Sequence, residues 1–217
     1  MSWLLALDTT AELGSLALLT DGTIVEEVPL HSTEGFGHLV FREIEDALAR
    51  HGLSPSDIAC FAGATGPGSF TGVRVGLTVV KGLGEATGHP VAGVSNLQAM
   101  AAFGSSALRA VVLDARRGEV YGAVYDAALR CVQEETVTRF ADWVAGLPAG
   151  AEVIAQDFTP FAFGLRDRRM VVAPRALAGA MGRIAWAGFV AGRGLDPAAL
   201  DANYVRRADA EMLWKEM

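Results

Sequence analysis

Asp21-Gly22 stands between two short apolar runs, 14–20 and 23–30, and no other feature narrows the fold of this chain as much. An Asp-Gly pair flanked by such runs closes a two-residue hairpin, because both turn positions need positive φ. A third run, 3–10, precedes them, so the chain opens on a three-stranded antiparallel meander. The period then changes. Over 37–51, steps of ~100° per residue place Val40, Phe41, Ile44, Ala47, Leu48 and His51 on one arc of ~120°, an amphipathic helix that Gly52 ends. Residues 57–65 read as a continuously apolar, buried strand, and a glycine-rich loop, 66–72, leads into a second helix at 72–87. A short strand follows at 91–94. Ser95 with Gln98 three residues on is a capping box that opens a helix to about 103.

The second half repeats the order. Strands are expected at 109–114, 119–126 and 131–137, a helix at 139–146, strands at 152–156 and 170–173, and a Gly/Ala-rich helix at 175–192. A hairpin group followed by alternating helix and strand, twice over, predicts a duplicated α/β architecture. The layout is that of the ribonuclease-H-like, actin-like ATPase fold: two lobes with mixed sheets, 1–104 and 105–217, the second degenerate. The last helix and tail are candidates to pack back on the first lobe.

Composition excludes several classes. With 51% hydrophobic and 20% charged residues the chain is an ordinary globular one rather than a disordered one. Two cysteines, Cys60 and Cys131, suffice for neither a disulfide framework nor a four-ligand zinc site. Residues 1–65 hold ten acids against Arg42 and Arg50, so the net charge of -7 is concentrated in the first third. That third repels phosphate, so direct nucleic-acid binding by the chain alone is disfavoured. The stretch 176–194 is interrupted by Arg183 and by glycines, so no membrane span and a cytoplasmic location are expected. None of the four histidines pairs at helical ligand spacing, so no metal site is expected.

Three places could carry chemistry. Residues 66–76, GPGSFTGVRVG, form a glycine loop before a helix, but no Lys precedes Ser69 or Thr71 as in a phosphate loop, and Pro67 breaks a nucleophile elbow. Asp8, Thr9 and Thr10 end the first strand and are the candidate nucleotide-binding residues, or simply cap a turn. Arg116 and Arg117 sit at a hairpin tip where they could meet a phosphate or a carboxylate, or only solvent. No catalytic residue is assigned. Helix 72–87 is more telling. Its polar residues Arg74, Thr78, Lys81 and Glu85 share ~60°, leaving ~220° of apolar and glycine surface, about twice what one core face needs. It is covered on two sides, by its own lobe or by another subunit.

These segments together resemble the TsaB (YeaZ) family: Asp8-Thr9-Thr10, Gly14-Ser15-Leu16-Ala17-Leu18, GPGSFTGVRVG at 66–76, Lys81-Gly82-Leu83, Val91-x-Gly93-Val94-Ser95, DARRGEVY at 114–121, and Asn203-Tyr204-Val205-Arg206-Arg207. The resemblance implies a two-lobed actin-like fold without strong catalysis of its own. It implies a partner, the TsaD enzyme, which places threonylcarbamoyl on the adenosine beside the anticodon of tRNAs reading A-starting codons, and a second partner, the ATPase TsaE. The isolated chain would self-associate as a homodimer, and tRNA would be met only through the complex. No cofactor is required, although an interfacial ATP or ADP is compatible with the resemblance. An ATP-binding enzyme of actin-like fold and a glycoprotease-like hydrolase are the alternatives. The second lacks a histidine pair: His38 has Arg42 at i+4. Departures from the family lie at His38-Leu39-Val40, at Ser95-Asn96 and in loop 32–37. The expected partner surface is a helix bundle with Leu39, Gly72, Val75, Gly76 and Val79 as its interface residues, of which Val75, Val79 and Gly72 or Gly76 point away from the sheet.

Overall fold

The computed structural model describes residues 1–161, 164, 165, 167–203 and 205. Strands β1 (Trp3–Asp8), β2 (Leu13–Thr20) and β3 (Thr23–His31) form the meander, with Asp21 at φ 47° and Gly22 at φ 79° in the turn. After a 3-10 turn at Phe36–His38 come α1 (Val40–Arg50), β4 (Ile58–Ala64), α2 (Phe70–Thr87), β5 (Val91–Val94) and α3 (Asn96–Ala101). The first sheet has the order β3-β2-β1-β4-β5, antiparallel up to β1 and parallel beyond it. The repeat is β6 (Leu108–Asp114), β7 (Glu119–Asp126), β8 (Cys131–Arg139), α4 (Phe140–Ala145), β9 (Glu152–Ala155), β10 (Met170–Val172) and α5 (Ala178–Val190). Its sheet runs β10-β9-β6-β7-β8, the same order read from the other edge. The fold is therefore the duplicated mixed-sheet α/β architecture expected for a two-lobed actin-like protein.

Among the described residues two units pack separately: 1–99 with 175–202, and 100–174 with 203 and 205. In the first, alternation along the strands sends Leu5, Leu7, Leu16 and Leu18 to one face, where they meet Val40, Ile44 and Leu48 of α1 and Val73, Leu77 and Val80 of α2. The alternate residues face α5. A Cβ on Gly182 would collide with the Leu19 side chain, which would have to shift for α5 to lie this close to β2. Ser15 Oγ accepts from the Leu177 and Ala178 amides at 3.0 and 2.9 Å, and Glu27 Oε1 accepts from Gly179 N at 2.8 Å. These buried caps satisfy the free amides of the first helical turn and start α5 at Ala178, later than residue 175.

The second unit is built on aromatics. Trp143, Phe161, Leu147 and Leu165 cover Ala110, Val112, Val120, Val124 and Val153, and Phe140 lies 5.1 Å from Phe161 between ring centroids. Trp143 lies directly on Gly122, where any Cβ would meet the indole.

Among the described residues no helix is long and apolar enough to cross a membrane.

Candidate functional site at the end of the first strand

Strand β1 ends on three polar residues that fold into the protein: Asp8, Thr9 and Thr10 are 2%, 1% and 4% exposed. Thr10 donates to Asp8 Oδ1 twice, from its amide at 2.9 Å and its hydroxyl at 2.7 Å. Asn96, the first residue of α3, donates from Nδ2 to Thr10 Oγ1 at 2.7 Å, and its own Oδ1 is buried without a hydrogen-bond partner. Burial pushes the Asp8 carboxyl above its ordinary range, and the bonds from Thr10 and Asn96 offset only part of that.

The glycine loop closes over these residues. Gly66-Pro67 is a cis peptide, Ser69 N donates to Thr10 O at 2.7 Å, and Asn96 N donates to Gly66 O at 2.9 Å. Thr9 Oγ1 donates to Gly72 O at 2.7 Å. Ser69 is the N-cap of α2, its hydroxyl accepting from Gly72 N at 3.3 Å. The loop and strand end thus meet backbone to backbone. A Cβ at Gly68 would stand 2.7 Å from Thr10, one at Gly76 2.5 Å from Thr9 Oγ1, and one at Gly72 would strike the Thr9 carbonyl.

Those distances correct the expectation that Gly72, Gly76 and Val79 point away from the sheet. Both glycines face Thr9 inside their own unit, and Val79 is 4% exposed in its core. Val75 and Leu39 are partly buried against the same core. Helix α2 is covered on two sides by its own unit: the sheet on one, the end of β1 on the other. What α2 exposes is Phe70, Thr71, Arg74, Thr78, Gly82, Glu85 and Ala86, with nothing within 4 Å of a Cβ on Gly82. Phe41 is also corrected. The helical period puts it on the buried arc, but at the edge of that arc, and it is 61% exposed while Val40, Ile44, Ala47 and Leu48 are buried.

In the second unit Arg116 and Arg117 occupy the β6–β7 turn at φ 66° and 57°, exposed, with Arg116 N donating to Asp114 Oδ1 at 2.8 Å. Sequence reasoning does not single out Asn96 or Glu152. Glu152, 1% exposed, heads the otherwise apolar strand β9, and an acid in such a strand is the available signal. Its Oε1 accepts from the amides of Ser105 and Ser106, and Arg169 Nε lies 3.6 Å from Oε2. Burial pushes this carboxyl up, but the Ser106 and Ser105 bonds and the Arg169 charge outweigh it, leaving it below its ordinary range. Cys60 is buried, its thiol pushed up to about 12 by desolvation, and Cys131 is exposed. Among the described residues no group of three His, Cys, Asp or Glu could hold a metal ion. Of the segment 203–207, Tyr204, Arg206 and Arg207 lie outside the described residues.

The family model for TsaD, tRNA N6-adenosine threonylcarbamoyltransferase, matches residues 28–169, well over half of the chain. The chain is 40% identical over 126 residues to the tRNA threonylcarbamoyladenosine biosynthesis protein TsaB of Escherichia coli, covering 56% of this chain and 54% of that one. It is 32% identical over 146 residues to the Bacillus subtilis protein of the same description, covering 65% and 64%. YeaZ from Pseudomonas aeruginosa superposes with a TM-score of 0.81 at 27% identity, covering 94% of this chain and all of that one. The chain belongs to the TsaB (YeaZ) family. In the curated TsaB relatives the match spans about half to two thirds of their length.

Proposed function

We propose that this TsaB-family chain is the non-catalytic subunit of a cytoplasmic tRNA-modifying complex. It pairs with the TsaD homologue, with the ATPase TsaE as a further component, for threonylcarbamoyl transfer to the adenosine beside the anticodon. The observation that carries the reading is the match to proteins described as TsaB, together with a YeaZ-like fold over nearly the whole chain. The chemistry of the strand end supports the non-catalytic part. Nucleophilic or general-base work needs a group with a free bond aimed at a substrate. Here the Thr10 amide and hydroxyl are directed at Asp8, the Thr9 hydroxyl at Gly72 O, and the Ser69 amide at Thr10 O. A phosphate needs such donors free, so these residues do not fit one as they stand. In this reading Asp8, Thr9 and Thr10 lock the glycine loop, the chain needs no nucleotide of its own, and tRNA is met through the complex.

Titration calorimetry with ATP checks the first part. No heat of binding at micromolar chain and millimolar ATP is expected, and tight stoichiometric binding would favour the actin-like ATP-binding alternative. Co-purification of the chain with the TsaD homologue of the same genome checks the second, with a one-to-one complex expected.

A further inference from the structure

Residues 175–195, which include α5, carry three arginines, Arg175, Arg183 and Arg193, and no acid. The rest of the first unit has the opposite sign: residues 1–99 hold eleven acids, the ten of 1–65 and Glu85, against Arg42, Arg50, Arg74 and Lys81. Helix α5 packs on the sheet face opposite α1 and α2, and all three of its arginines are exposed. The acids that border the segment are engaged elsewhere. Glu27 Oε1 accepts from Gly179 N at 2.8 Å, Asp21 Oδ1 from Ser2 N at 3.0 Å, and Asp196 Oδ1 from Ala198 N at 2.8 Å. This side of an acidic unit therefore presents a basic patch.

The backbone that carries the patch is fixed. The Trp186 indole stands over Gly22, where a Cβ would lie 2.6 Å from Cδ1, and its centroid is 5.6 Å from that of Phe189. Gly192, at φ 72°, ends the helix, and Arg193 N donates to Gly188 O at 3.0 Å. Leu195 then exchanges both backbone hydrogen bonds with Val91, at 2.8 and 2.9 Å. Around Arg183 and Arg193 the exposed residues are Ala187, Val190, Ala191, Gly192 and Gly194, of which Val190 alone is large. A protein interface is centred on a bulky anchor in a pocket. A phosphate backbone needs fixed cations on a surface it can approach, and that is what this side of α5 offers.

We infer that α5 and the turn after it, through Arg183 and Arg193, are this chain's contact with the phosphate backbone of the tRNA held by the complex. This rests on the reading of the chain as a subunit of a tRNA-modifying complex with a TsaD homologue. The chain alone, at a net charge of -7, repels RNA over long range. Within the complex the RNA is already held, and contacts inside the screening length of about 8 Å are made by the two arginines rather than by the distant acids. Phosphate contacts of this kind position the RNA and do not read its sequence.

The test is fluorescence anisotropy of a labelled tRNA with the hetero-complex of the full chain and the TsaD homologue, between ~0.05 and ~0.2 M NaCl. Each phosphate contact adds about one to the slope of log affinity against log salt. Arg183→Glu with Arg193→Glu should therefore lower the slope by about two, so that its loss of affinity is about tenfold larger at the low salt than at the high. The loss should be equal for an A-codon tRNA and for any other tRNA. Arg183→Lys with Arg193→Lys should keep most of the affinity, since a point charge suffices for a phosphate. Arg130→Glu, an exposed arginine of the second unit paired with Asp126, should change nothing. Because the substituted side chains are exposed, circular dichroism and co-purification with the TsaD homologue should match the unsubstituted chain. Unchanged affinity and slope in the intact hetero-complex overturn this inference, and so does loss of the hetero-complex itself, which would make the patch a protein contact. Absence of any complex for the unsubstituted chain overturns the functional reading beneath it.

Discussion

Each unit buries one carboxylate almost completely, Asp8 in the first and Glu152 in the second, and the two are held in opposite ways. Glu152 receives two backbone amides and faces an arginine, so its charged form is favoured despite burial. Asp8 receives an amide and a hydroxyl from Thr10, both to the same oxygen, and desolvation prevails. Burial alone does not set the character of an acid; the donors supplied to it do. The consequence is a division of labour. Glu152 braces the 104–106 segment ahead of β6, whereas Asp8 anchors the turn over which the glycine loop closes.

Removing the brace should have the largest effect. Glu152→Ala leaves the Ser105 and Ser106 amides without their acceptor, at about 1–3 kcal/mol for each unsatisfied donor, and urea denaturation should show a loss of about 3 kcal/mol. The pH dependence separates the two acids. Glu152 has a lowered pKa, so its stabilisation is fully present above the ordinary carboxylate value of 4.5 and is lost as pH falls through its folded value. Asp8 has a raised pKa, so the folded state holds its proton more tightly than the unfolded one. Its contribution is most favourable below 3.8 and declines as pH rises through the raised value. Glu152→Gln should therefore lose stability at neutral pH and little in acid, while Asp8→Asn should gain at neutral pH by less than Glu152→Ala loses. Parallel pH profiles for the two variants would contradict the contrast.

Next in size comes the glycine packing. Gly72→Ala drives a methyl into the Thr9 carbonyl and should cost about 1–3 kcal/mol in denaturant unfolding. Gly82→Ala, on the open side of the same helix, should stabilise by about 0.5–1 kcal/mol, since the helix gains propensity and meets nothing. Equal effects at the two positions would mean that α2 is not gripped on the Thr9 side. Smallest of all should be Arg116→Ala at the exposed β6–β7 turn, within about 0.5 kcal/mol.

Elements whose signal is local are legible in the residues themselves. The Asp21-Gly22 turn, the Ser95 cap, whose hydroxyl accepts from Leu97 and Gln98 amides, and the succession of strands and helices along both halves follow from period and turn chemistry. What depends on distant partners is not. The spacing of Gly72 and Gly76 announces close approach, yet only the fold reveals that the approaching backbone is Thr9, more than sixty residues earlier. Phe41 lies near the edge of the apolar arc of α1, where angular position does not decide between core and solvent. Asn96 reads as part of a helix start, and its bond to Thr10 spans 86 positions.

The most direct measurement is a reconstitution by omission: threonylcarbamoyl transfer from a supplied activated threonylcarbamoyl donor to an A-codon tRNA by the TsaD and TsaE homologues with ATP, with and without this chain. Product is expected only when the chain is present, and none from the chain alone. Equal product without the chain, or transfer catalysed by the chain by itself, would contradict it.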